Sequence, residues 1–68
     1  MNITVNGGPR DVVPGTTARQ LVASLGVKPE MMAVQINERI LPREEMNTTV
    51  LSDGDVVELI RIVGGGST

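Results

Sequence analysis

A chain of 68 residues has room for one small domain, and at this size folding buries only about 60% of the surface that the unfolded form exposes. It contains no Cys, His, Phe, Tyr or Trp, which excludes the usual nucleophile–base pairs, thiolate and imidazole metal ligands, and aromatic platforms for stacking bases or sugars. Six basic residues against eight acidic ones give a net charge of −2, which argues against generic binding to a phosphate backbone and favours basic partners.

Met1-Asn2-Ile3-Thr4-Val5 alternates apolar and polar residues and predicts a strand with Met1, Ile3 and Val5 facing inward. Asn6-Gly7-Gly8-Pro9 is a turn signal, so a hairpin follows, with its second strand near Arg10 to Val13, ended by Pro14-Gly15. Ala18, Leu21, Val22 and Leu25 fall at i, i+3, i+4 and i+7 and predict the main helix. Thr17 and Gln20 fit a capping box at its start, and Gly26 suits the left-handed position just past its end.

After a break at Lys28-Pro29-Glu30, alternation resumes from Met32 to Asn37, with Met32, Val34 and Ile36 on one face and Ala33 and Gln35 on the other. Asn37-Glu38-Arg39 turns the chain into a short strand at Ile40-Leu41, which Pro42 confines to an edge or an end. Arg43 to Met46 suggests one helical turn, and Ser52-Asp53-Gly54-Asp55 is a turn before a last strand from Val56 to Ile62. The order predicts an α+β roll: a mixed sheet of four to five strands, one main helix on one face, and the first and last strands side by side at the centre. Residues 1–63 form the domain and 64–68 a flexible glycine-rich tail.

Two features point to function. If Val57, Leu59 and Val63 face the helix, then Val56, Glu58, Ile60 and Ile62 occupy the open face. Ile60 and Ile62, with Gln35 beside them, then form a candidate partner-docking patch, against the plainer reading that a central strand carries surplus β-branched residues. The second feature is Gly64-Gly65-Gly66. Glycines in a row add nothing to a core and lose the most backbone entropy on ordering, so they read either as a linker or as a slender arm for a narrow enzyme channel. Extended, Val63 to Gly66 spans about 13 Å.

Several segments together carry a resemblance: Ile3-Thr4-Val5-Asn6-Gly7, Pro14-Gly15-Thr16-Thr17, Leu25-Gly26, Ala33-Val34-Gln35-Ile36-Asn37, Pro42-Arg43-Glu44-Glu45, Asp53-Gly54-Asp55-Val56-Val57-Glu58 and Val63-Gly64-Gly65-Gly66. Nearly the whole chain resembles the ThiS family, the sulfur carrier proteins of thiamine biosynthesis. The resemblance implies a ubiquitin-like β-grasp fold and a protein co-substrate that is not an enzyme. It implies that an E1-like adenylating enzyme of the ThiF type uses ATP and Mg to activate the C-terminal glycine carboxylate. A persulfide sulfur donor then converts the acyl-adenylate to a thiocarboxylate, and a thiazole synthase of the ThiG type receives the sulfur. The carrier itself needs no bound cofactor, because the reacting group is its own terminal carboxylate.

Family members usually finish at the glycines, whereas Ser67-Thr68 follow Gly66 here. Gly66 is the expected adenylated and thiocarboxylated residue, with Val63, Gly64 and Gly65 as the arm, once a protease has trimmed Ser67-Thr68 or if those residues are a cloning remnant. The absence of cysteine, of a basic leader and of a long apolar stretch leads to an expectation of a cytoplasmic protein without membrane or nucleic-acid partners. The rival readings are a carrier similar to the small subunit of molybdopterin synthase and a TGS-like interaction module. An enzyme is the weakest reading, since Ser24 and Ser52 have no histidine partner in the sequence.

Overall fold

A computed structural model describes residues 1–62 of the chain. The elements are β1 (Asn2–Val5), β2 (Gly8–Asp11), α1 (Ala18–Ser24), β3 (Met32–Ile36), β4 (Arg39–Ile40) and β5 (Val56–Arg61), with 3₁₀ turns at Pro29–Met31 and Arg43–Glu45. They form one sheet in the order β2-β1-β5-β3-β4. β1 and β5 run parallel, and the other neighbours are antiparallel; α1 carries the chain from β2 on one side of that central pair to β3 on the other. The expected α+β roll is therefore present, with the first and last strands adjacent and β5 in the middle.

Local chemistry explains most of the boundaries. Both halves of the capping box form: the Gln20 amide donates to Thr17 Oγ1 at 3.2 Å, and the Thr17 amide donates to Gln20 Oε1 at 3.0 Å. These bonds satisfy donors that the first helical turn leaves without intrahelical partners. At the other end Gly26 takes a φ of +80°, and its amide reaches Ala23 O at 3.0 Å, which closes the helix. α1 buries Ala18, Leu21 and Val22 against Ile3, Val34 and Val57 of the sheet, and Met32, Met46 and Leu51 complete the core.

The second strand starts earlier than the sequence suggests, covering Gly8–Asp11 rather than Arg10 to Val13. Asn6 (φ 49°) and Gly7 (φ 85°) are both left-handed and bring Val5 opposite Gly8, so the turn needs only two residues. Gly8 and Pro9 then belong to the ladder. Pro9 is tolerated because β2 lies at the sheet edge, where its missing amide forfeits no bond to an outer strand. Asn37 (φ 52°) and Glu38 (φ 70°) make a matching turn between β3 and β4, with Ile36 opposite Arg39.

The 3₁₀ turn at Pro29–Met31 occupies what the sequence presents only as a break, while the single turn expected at Arg43 to Met46 forms over Arg43–Glu45. The two turns are tied together. The Arg43 guanidinium donates to Pro29 O and Met32 O, each at 3.3 Å, and so fixes the start of β3.

Candidate functional site

β5 is held from both sides along its length. The Thr4 amide donates to Asp55 O at 2.9 Å and the Asn6 amide to Val57 O at 2.9 Å. Asn6 extends the ladder by one further step, because its side-chain Oδ1 accepts from the Leu59 amide at 2.8 Å in place of a backbone carbonyl. On the other side β3 pairs from Met32 opposite Arg61 to Ile36 opposite Val57. Past the end of the strand, the Ile62 amide donates to Met31 O at 2.9 Å. The residue preceding Val63 is thus fixed against the 3₁₀ turn at Pro29–Met31.

Alternation along β5 sends Val57 (0% exposed) into the core with Leu59 half-buried, and leaves Val56, Glu58 and Ile60 on the open face. Ile60 is 51% exposed and Ile62 is 40% exposed. Ala33 lies opposite Ile60 and Gln35 opposite Glu58, so Gln35 does join the isoleucines on one surface. The sequence-predicted docking residues Gln35, Ile60 and Ile62 are therefore brought together. One apolar member was not foreseen: Ile40 of β4 pairs with Gln35 and is 68% exposed, which widens the patch toward the sheet edge. A two-residue strand has too little periodicity to reveal its face in the sequence.

Val63, Gly64, Gly65 and Gly66, the expected arm and its activated residue, lie outside the described residues. Among the described residues there is no group of three His, Cys, Asp or Glu side chains placed to hold a metal ion, and no helix is long and apolar enough to cross a membrane. The surface around the end of β5 offers contact area and position. The side chains there, Ile, Gln, Glu, Arg and Met, include no nucleophile and base in tandem.

Comparison with known proteins places this geometry. The model of the ThiS family matches residues 3–66. The sulfur carrier protein ThiS of Escherichia coli is 30% identical over 66 residues, covering 97% of this chain and 100% of the relative. A thiazole synthase of Magnetococcus marinus is 36% identical over 66 residues, covering 97% of this chain and 20% of that protein. The chain spans about a fifth of the length of the thiazole synthases that it matches. The crystal structure of the thiamine biosynthesis protein ThiS from Geobacter metallireducens superposes with a TM-score of 0.83 at 38% identity, covering 97% of this chain and 100% of that one.

Proposed function

The chain belongs to the ThiS family, and from that membership we propose that it is a sulfur carrier of thiamine biosynthesis whose C-terminal glycine becomes a thiocarboxylate. The observation that carries this reading is the match of the family model, which runs through the glycines to Gly66 and stops short of Ser67-Thr68. Gly66 is the residue to be activated, and Val63, Gly64 and Gly65 form the arm that reaches the activating site. A side chain at any of the three glycines would widen an arm that has to enter a narrow channel.

The chemistry then needs nothing from the globule except presentation. The Gly66 carboxylate attacks the α-phosphorus of ATP and pyrophosphate leaves. The terminal sulfur of a persulfide displaces AMP from the resulting acyl-adenylate to give an acyl disulfide. A second thiolate then attacks the donor-side sulfur, so that the S–S bond breaks, a disulfide forms on the donor side and the thiocarboxylate is released. ATP and magnesium are held by an adenylating enzyme of the ThiF type, and the carrier acts as its co-substrate. Removal of Ser67-Thr68 by a protease precedes activation, because a peptide-bonded Gly66 has no carboxylate to adenylate. The dependence on ATP agrees with a cytoplasmic setting.

A thiazole synthase of the ThiG type is the sulfur acceptor in this reading. Support comes from the proteins of that name, in which about a fifth of the length is similar to nearly the whole of this chain. The patch of Gln35, Ile60 and Ile62 is where partners dock. It adjoins the start of the arm, so one approach engages both.

The test is direct. Protein ending at Gly66, incubated with the adenylating enzyme, ATP and a sulfur donor, is expected to exchange one terminal oxygen for sulfur, as read by intact-mass spectrometry. An unchanged mass for both the full-length and the Gly66-terminated forms would refute the carrier reading. Gly65→Val is expected to abolish the product, since a β-branched side chain would obstruct the channel.

A further inference from the structure

The helix-side surface at the end of β5 differs chemically from the open face. A groove of about 430 Å³ lies there, lined by Gly26, Val27, Lys28, Met31, Met32 and Arg61. Two cations face it and no acid lines it. Glu30, Glu44 and Glu45 belong to neighbouring turns, yet none contributes to its walls. Among the described residues the one ion pair joins the Met1 ammonium to Asp11 at 3.4 Å, so neither Lys28 nor Arg61 is neutralised by a described acid within salt-bridge distance.

Two like charges sharing a groove repel, and an anionic surface that covers both removes that cost while gaining attraction. The far end of the sheet has the opposite character. Asp11 pairs with Asn2, Asp53 Oδ1 accepts from the Asn2 amide, and Asp55 accepts from Asn37, so these acids gather with Glu38 where β5 begins. The Met1 ammonium, paired with Asp11, and the side chains of Arg10 and Arg39 offset only part of that charge. In a chain of net charge −2, the positive groove at the end of β5 is thus a local reversal of the overall sign.

We propose that the groove flanked by Lys28 and Arg61 is an electrostatic docking site for an acidic protein surface that borders the channel taking the C-terminal arm. This rests on the carrier reading above, and it adds the charge of the partner and the direction of approach. Ile62 is bonded to Met31 O beside the groove, so a surface that meets the chain at Ile62, where the described residues end, has Lys28 and Arg61 on one side and Ile60 on the other. The acids where β5 begins are repelled by the same surface. The charge distribution therefore orients the carrier arm-first during encounter, an effect that appears in the association rate and fades with salt.

The experiment measures association of the Gly66-terminated protein with the ThiF-type adenylating enzyme by stopped-flow or surface binding, at low and at physiological salt. Lys28→Glu/Arg61→Glu is expected to slow association about tenfold at low salt and to flatten its salt dependence, since steering acts mainly on that rate. Lys28→Gln/Arg61→Gln is expected to give a smaller loss in the same direction. Circular dichroism confirms that both exposed double variants are folded. If they bind as fast as the parent with the same salt dependence, the docking proposal is overturned and the carrier reading stands. A parent protein that forms no thiocarboxylate removes the carrier reading and the docking proposal with it.

Discussion

Asn6 does two things that no other residue type except aspartate does comparably well. It sits at a φ of 49°, where most side chains are strained, and its Oδ1 supplies the acceptor that the Leu59 amide would otherwise lack. Asn6→Ala is expected to lose about 1–2 kcal/mol in urea unfolding, from the missing acceptor and the left-handed backbone together. Asn6→Asp keeps both properties and is expected to retain most of that stability. Equal stability of the alanine variant and the parent would mean that water replaces the side chain at Leu59. Glu38 presents the opposite case, a long side chain at a φ of 70° whose carboxylate accepts no hydrogen bond among the described residues. Glu38→Gly is expected to raise stability by about 0.5–1 kcal/mol, the relief of the left-handed strain exceeding the added freedom of the unfolded chain. A lower unfolding midpoint for this variant would show that the glutamate makes a favourable contact.

α1 has seven residues and would be marginal alone, so its first turn depends on the reciprocal bonds of Thr17 and Gln20 and on the burial of Leu21 and Val22. Thr17→Ala is expected to cost about 1 kcal/mol, measured by chemical denaturation. A cost near zero would mean that the pairing of Thr17 with Val50, together with the bond from the Ala18 amide to Thr49 O, holds this end of the helix without the cap. The helix was legible in the sequence because both of its ends are specified by local chemistry and its apolar face has a single period. β3 and β5 were legible for the same reason, since alternation survives when one face is buried. Met46 and Leu51 were not: they lie in a connection without periodicity, yet they are 3% exposed because the Leu51 amide bonds Thr16 O and the Arg19 amide bonds Met46 O. Tertiary pairing placed them, and no spacing rule announces it. In the candidate site, the faces of Gln35, Ile60 and Ile62 followed from strand parity, and the pairing of β3 with β5 set Gln35 beside the isoleucines. Ile40 and the Lys28–Arg61 groove depended on which strands became neighbours.

At the scale of the molecule, the two faces of the sheet differ in burial, and the proposed docking falls on the open one. One face is sealed by α1, and the other leaves Ile60 and Ile62 in contact with water at the end of β5. Ile60→Asp is expected to weaken binding to the adenylating enzyme by tenfold or more, with less than about 0.5 kcal/mol of change in folding stability, because a half-exposed position can hydrate a carboxylate. Unfolding of the variant, or binding equal to the parent, would show that this face has a different role. If both proposals hold, the apolar contact acts mainly on the lifetime of the complex and the charges of Lys28 and Arg61 on its formation, so the two variant sets are expected to separate in kinetics.

β5 is both the middle strand and the last in chain order among the described residues. Until it emerges from the ribosome, the hairpins β1–β2 and β3–β4 have nothing to join them, and α1 has only part of a floor on which to rest. A chain cut short before Val56 is therefore expected to reach no stable folded form and to be degraded quickly, so that under the carrier reading no folded globule would circulate without the terminus it has to present.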